Sequence, residues 1–356
     1  MNIETEFLKF KVKKTVFPHG KDYVGIYETL KAKFNTDVHP EVKTKILEIE
    51  KEGYYNDHGV DHIKMVIERV SRIIEQTNPT FKNEKGKFHI SPYELFILLV
   101  AINLHDTGHL IASRADHAKA GKFLLAKFDS GNLLSTAEKA IIGNIAQAHG
   151  GKADPIGKLD NTMHLSHEYV RPQFLAALLR LGDELAEDET RASNFLLQIG
   201  AIEKTSIIFH LYSASLNSLS LDGNEISLVF YLTDKYLQNS FSKQSSKGIK
   251  KQYLINEVYE RTQKTLLESL YCARFLPQSC RFTRVKVKIN FLKDENNGDF
   301  MNPIGYELKE NGYPTLEYAD IHKNCESLVE GGTKIDGKYI ASLIKKSKSK
   351  KNEKSI

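Results

Sequence analysis

The sequence predicts a mainly α-helical chain followed by a smaller α+β region. Three observations carry that reading. Two capping boxes, Ser91-Pro92-Tyr93-Glu94 and Ser135-Thr136-Ala137-Glu138, mark helix starts. The run from Leu95 to Leu104 is apolar on nearly every side, as expected of a helix surrounded by other helices. Near Gly200 the pattern changes to short segments rich in Ile, Leu, Val, Phe and Ser, with a turn signal at Leu221-Asp222-Gly223-Asn224.

Taken in order, Asp22 to Phe34 and Glu41 to Glu52 read as helices. His58 to Glu75 places Val60, Met65, Val66, Val70 and Ile73 near helical spacing. Ser91 caps a helix with Pro92 at its first position, and that helix continues to His105. Gly108 is expected to mark its end. The second capping box opens a helix that Gly150 would stop, and Pro172 opens another that carries Asp183. Beyond residue 200, Thr205 to Tyr212, Ser218 to Leu221 and Glu225 to Tyr231 read as strands. A long helix over about Ile249 to Phe275 follows, and Arg284 to Phe291 alternates like a half-buried strand. Residues 292–344 hold turn signals at Asn296-Asn297-Gly298, Asn311-Gly312 and Gly331-Gly332. The organisation read from this is a helical domain over 1–199 with its core in 50–195, an α+β region over 200–344, and a disordered basic tail over 345–356.

Residues 345–354 hold six lysines and one glutamate, which accounts for the whole net charge of +5. A neutral body opposes a nucleic-acid binder, which spreads basic charge over a folded face; nucleic acid stays open only through the tail. No apolar stretch is long enough to span a bilayer, and Met1 to Lys14 lacks the layout of a secretory signal. Cys272, Cys280 and Cys325 have no Cys-x-x-Cys spacing, which points to a reducing compartment and excludes an all-thiolate zinc site. A cytoplasmic location is the expectation. The phosphate-binding Gly-x-x-x-x-Gly-Lys-Ser/Thr loop of an ATPase is absent.

The chemistry concentrates in His105-Asp106-Thr107-Gly108-His109, at the end of the apolar run. His105 and Asp106 are adjacent, about 100° apart on a regular helix, so they converge only if a site wraps the helix end. Upstream, His58 and His62 are four apart and share one helix face. Downstream, Asp183 sits among Leu178, Leu179, Leu181 and Leu185. It is either a ligand or part of a wet helix edge with Glu184, Glu187, Asp188 and Glu189.

The order His, then His-Asp, then Asp, each on a predicted helix, resembles the HD superfamily of metal-dependent phosphohydrolases over roughly residues 50–195. The resemblance implies an HD-type helical bundle in which His62, His105, Asp106 and Asp183 hold one divalent metal, with Asp106 free to bridge to a second. His117-Ala118-Lys119-Ala120-Gly121-Lys122-Phe123-Leu124-Leu125 is similar to a His-x-x-x-Gly-x-x-Leu-Leu stretch of two-metal HD proteins, including the HD-GYP phosphodiesterases. His149 falls where those proteins place another ligand histidine, and His58 falls four before the first ligand. His58, His117 and His149 are therefore the implied second-metal set. A Gly-Tyr-Pro segment near His149 is missing, so cyclic dinucleotide specificity is not implied. His109 stands where many members carry lysine; with Arg180 and Lys122 it is a candidate for contacting phosphate or the leaving group, or alternatively for orienting a ligand.

Mixed imidazole and carboxylate ligands favour Mn, Fe, Ni, Co or Zn over Mg or Ca, as one ion or two. The implied activity is hydrolysis of a nucleotide or another phosphate ester by attack of metal-bound hydroxide. Three other readings stay open: a non-catalytic HD-fold nucleotide sensor that regulates a partner protein, an HD-type nuclease, and an interaction module in which residues 200–344 do the main work, as a partner-protein surface, and the HD site is vestigial. The general layout also resembles the HD domain that accompanies chaperone-like ATPase modules in bacterial conflict systems.

Overall fold

A computed structural model of the protein describes residues 1–50, 59–82, 84, 85, 87–113, 116–192, 194–245, 248–294, 298–310 and 320–353. His58 and the turn signals at Asn296-Asn297 and Asn311-Gly312 lie outside the described residues. The chain is mainly helical with a smaller α+β part, and it divides into two compact units. The first holds Met1–Glu48, Asp57–Ala186 and Tyr271–Arg281; the second holds Glu187–Leu270 and Phe282–Ile356. The division falls at Ala186, ahead of the expected 199, and Tyr271–Arg281 returns to the first unit. Among the described residues, no helix is long and apolar enough to cross a membrane.

The first unit is built on α1 (Ile3–Leu8), α2 (Tyr23–Lys33), α3 (His39–Glu50), α4 (Val60–Glu75), α5 (Pro92–Leu104), α6 (His117–Phe128), α7 (Thr136–Gln147) and α8 (Pro172–Glu184). Every residue of α5 is buried, and the helix packs against α1, α2, α4, α6, α7 and α8. This is the central helix that its all-round apolar run predicts. Both capping boxes form: Ser91 and Ser135 each accept the N–H three residues on, and Glu94 and Glu138 each return to the cap N–H. Between α7 and α8, β1 (Met163–Leu165) and β2 (Glu168–Val170) form a hairpin that the sequence did not announce. Its turn uses Ser166 and His167 at φ 52° and 68°, without the glycine that signals such turns.

Glu138 shows how the bundle is locked. Its Oε1 accepts the Tyr23 hydroxyl of α2 at 2.5 Å and the Tyr93 hydroxyl of α5 at 2.9 Å. Three helices thus meet on one buried carboxylate. Burial would raise its pKa, but hydrogen bonds from Tyr23, Ser135 and Tyr93 override this and hold it below 4.5.

The second unit carries α9 (Asn194–Gln198), α10 (Ile207–Ser215), β3 (Leu216–Asp222), β4 (Glu225–Thr233), α11 (Asp234–Leu237), β5 (Ser240–Ser245), β6 (Gly248–Tyr253), α12 (Leu254–Ala273), β7 (Arg284–Leu292), β8 (Asp299–Lys309), α13 (Ile321–Asn324), β9 (Val329–Glu330), β10 (Thr333–Lys334) and α14 (Gly337–Glu353). Its main sheet has the order β3-β4-β7-β8, with β4 and β7 parallel and the outer pairs antiparallel. The strands expected at 218–221, 225–231 and 284–291 are present with extended ends. Three expectations are corrected. Thr205 to Tyr212 is not a strand: α10 buries Ile208, Phe209, His210, Leu211, Tyr212 and Ser213, and an apolar run buried on all sides has no period to tell helix from strand. The helix expected from Ile249 begins at Leu254, because Gly248–Tyr253 pairs as β6 with β5, Ser240–Ser245. The tail expected to be disordered is helical to Glu353, continuing an α14 that buries Ile340, Ala341 and Ile344.

The Glu138 anchor gives a pH-dependent expectation. The folded carboxyl binds its proton more weakly than the unfolded one, so its stabilisation is complete above about pH 4.5 and is lost as pH falls through the lower folded pKa. Glu138→Gln should cost roughly 1–3 kcal/mol at neutral pH, where the charged acceptor is replaced by a neutral amide. Its melting temperature should also fall less steeply than that of the wild type in acid. Thermal melts of both proteins from neutral to acid pH check each part.

Candidate metal centre

The site begins where α5 ends. His105 keeps helical backbone angles, Asp106 turns at φ −94° and ψ −3°, and a single 3-10 turn, Thr107–Leu110, follows. The two adjacent side chains converge because the chain leaves the helix between them. The last carbonyls of α5 are used in doing so: Thr107 Oγ1 donates to Leu104 O at 2.7 Å, and His105 Nδ1 lies 2.7 Å from Ile102 O. That carbonyl fixes the proton on Nδ1 and turns the Nε2 lone pair into the site.

Two helices complete a first cluster. His62 lies in the first turn of α4, and Asp183 in the last turn of α8. Gly182 lets the two helices approach: a Cβ there would stand 2.4 Å from Val70 Cγ2. His62 Nε2 is 3.1 Å from Asp183 Oδ1 and 3.5 Å from Asp106 Oδ2. His105 Nε2 is 3.2 Å from Asp106 Oδ2 and 3.6 Å from Asp183 Oδ1. Arg69 Nε, donating to Leu185 O at 3.0 Å, holds the end of α8 against α4.

A second cluster lies on the other side of Asp106. His117 opens α6, and His149 follows the end of α7. Gly108 does not end α5, as the sequence reading expects. It serves a close approach instead, since a Cβ there would stand 1.9 Å from His117 O and 2.7 Å from Gly121 N. His117 Nε2 and His149 Nε2 lie 3.5 Å and 3.7 Å from Asp106 Oδ1. The two Nε2 atoms are 3.0 Å apart, and His149 Nδ1 lies 2.5 Å from Ala146 O.

Each group, His62–His105–Asp183 and Asp106–His117–His149, has its ligand atoms within 4.8 Å of one another. The arrangement fits a cation on three counts. Nitrogen and oxygen donors about 2.0–2.2 Å from a tetrahedral ion stand roughly 3.4 Å apart, which is the spacing seen here. His105 Nε2 is buried beside carboxylate oxygens without forming a hydrogen bond. The His117 and His149 nitrogens face each other where at most one proton fits, since the carbonyl of Ala146 occupies the other nitrogen of His149. These buried His and Asp groups could hold a divalent metal.

The electrostatics point the same way. Burial disfavours charge on His105, but Asp106 and Asp183 override it and raise its pKa well above the ordinary value. Asp183 is held well below the usual carboxylate range; burial opposes this, and His105 and His62 outweigh it. His149 is lowered to about 4 by burial and by the charge of His105 and His117. The side chains of His62 and His105 are fully buried, while Asp183 at 27% and His117 at 17% exposure form the accessible edge.

The remaining expected residues divide. His109 is buried and its ring stacks on that of His117, centroids 4.1 Å apart and planes 9° apart. Arg180 reaches the carbonyls of Ala148 and Gly151, which flank His149, at 3.4 Å each. Lys122 engages Asn144 Oδ1 at 3.4 Å rather than either cluster. Gly182 was missed by sequence reasoning; a glycine inside an apolar helix was its signal.

A helical bundle that gathers adjacent His and Asp at a helix end with His and Asp from flanking helices is an HD-like domain. The chain belongs to the HD-CE family, whose model matches residues 52–264, more than half of the chain. No curated protein matches the chain.

The Gly108 approach is testable by thermal melting. Gly108→Ala forces the end of α5 and the start of α6 apart, at a cost of about 3 kcal/mol or more. The expected result is a lower melting temperature that added divalent metal no longer raises; a melt with and without metal checks it.

Proposed function

We propose that this protein is a metal-dependent phosphohydrolase acting on a nucleotide or another phosphate ester. One observation carries the reading: the Asp106 carboxylate presents Oδ2 to His62 and His105 and Oδ1 to His117 and His149. A carboxylate shared in this way suits two divalent ions, with His62, His105, Asp106 and Asp183 around one and Asp106, His117 and His149 around the other. The mixed donors favour Mn, Fe, Ni, Co or Zn. When bound, such ions lower the pKa of water toward neutrality and offset phosphate charge.

The chain's own residues supply the rest. The carbonyls of Ile102 and Ala146 hold the protons of His105 and His149 on Nδ1, so both rings offer Nε2 inward. His109 braces His117 by ring stacking. Arg180 sits beside the residues flanking His149, where its guanidinium would take a phosphate oxygen. Lys122, whose Nζ lies 3.4 Å from Asn144 Oδ1, is a further candidate for contacting phosphate.

The test is elemental analysis of the purified full chain, followed by turnover of nucleotides, cyclic nucleotides and phosphate esters with each metal. About two ions per chain are expected. Asp106→Ala should abolish turnover and lower metal content while the protein remains folded. His149→Ala should lower the metal toward one per chain, and a Lys122 substitution should not. One ion in the wild type with a fully active His149→Ala would reduce the centre to the four-ligand form. A metal-loaded protein without turnover of any substrate would favour the sensor reading.

A further inference from the structure

Tyr271 lies beyond the residues that match the family model, yet it belongs to the first unit. Two guanidinium groups lie over its ring, Arg180 with Cζ 5.0 Å from the ring centroid and Arg274 at 5.5 Å. Its hydroxyl donates to Asp154 Oδ1 at 2.9 Å and accepts the Ile156 N–H at 2.9 Å. Arg274 closes the arrangement by pairing with Asp154 at 3.0 Å. The phenol is therefore fixed by the loop at 154–156, and the loop is fixed by the phenol.

Arg180 gains its orientation from that ring. A guanidinium held over an aromatic ring by a cation–π contact still offers its N–H groups to oxygen acceptors at its edge. The acceptors it meets are Ala148 O and Gly151 O, both at 3.4 Å, on either side of His149. Those contacts are long for a charged donor, so a phosphate oxygen at the same edge would compete with them successfully. Arg180 is also three residues before Asp183 on α8, so one helix carries both a cluster residue and the cation beside it.

We propose that Tyr271 is a positioning residue that holds Arg180 beside His149, and that the pair forms the subsite for a phosphate oxygen of the substrate. The assignment rests on the phosphohydrolase reading. Its mark is coupling: the ring acts only through Arg180.

Inorganic phosphate is the probe, titrated into the metal-loaded full chain and used as a competitive inhibitor. Tyr271→Leu should weaken phosphate about fivefold, and Tyr271→Phe, which keeps the ring, should stay near the wild type. Arg180→Gln should weaken phosphate at least as much, and adding Tyr271→Leu to it should change nothing further. Turnover by Tyr271→Leu should show a raised KM more than a lowered kcat. Arg180→Lys keeps the charge but loses the forked guanidinium, so it should reproduce the phosphate defect even if Tyr271→Leu folds poorly. Additive losses in the double variant, or wild-type phosphate affinity in Tyr271→Leu or Arg180→Lys, would overturn the proposal. Metal content measured on the same samples separates the two levels. Normal metal without coupling removes the Tyr271 role alone, whereas a wild-type protein that takes up no metal removes the phosphohydrolase reading.

Discussion

The structure depends on one buried carboxylate that has to serve two sides at once. Asp106 is 5% exposed and stands among His62, His105, His117 and His149. A buried carboxylate without compensating partners is expensive, so the fold must bring polar groups to both of its oxygens. It does so at a helix end, where the regular hydrogen-bond ladder stops and the chain can turn. The helix behind it is apolar on every side and buried at every residue. Its polar side chains, Glu94 and Asn103, are confined to its two ends, and four other helices, α4, α6, α7 and α8, deliver the rest. The glycines at 108 and 182 set how near they come, because in each case a methyl group would occupy the space that α6 or α4 fills.

The charges inside this cavity cannot all be expressed together. Asp106 and Asp183 draw a proton onto His105, and that positive charge in turn helps keep His149 neutral. Binding of divalent ions would displace protons from the imidazoles, which ties metal affinity to pH with weaker binding in acid. Asp183 and His117 form the accessible edge of the two clusters.

Much of this was legible in the sequence, and the reasons differ by element. The capping boxes at Ser91 and Ser135 and the proline at 172 are local signals, and local signals survive packing. The cluster residues could be named because the order His, then His-Asp, then Asp resembles the HD pattern, whereas a His-Asp pair alone says little. Their division into two groups came from that resemblance and not from spacing, since it depends on the single turn after Leu104 and on which oxygen of Asp106 faces which histidine. Thr205 to Tyr212 failed because complete burial erases periodicity. The β5–β6 hairpin failed because its charged strand Gly248–Tyr253 runs directly into α12 and shares its polar character. The lysine-rich end was read from its own charge, whereas its helix is anchored upstream by Ile340, Ala341 and Ile344.

The match to HD-CE covers 52–264 and so includes all six cluster residues, but it stops short of Tyr271. The ends of the helical unit are not the ends of the matched segment. Tyr271–Arg281 belongs to that unit although more than eighty residues separate it from Ala186. A return of this kind has a physical use. Arg180 is on a helix whose last turn must stay in register with α4, so its own backbone cannot be moved to aim the side chain. An aromatic ring brought in from elsewhere in the chain can aim it without disturbing that register. The geometry of the His and Asp clusters and the placement of the neighbouring cation are then set by different segments.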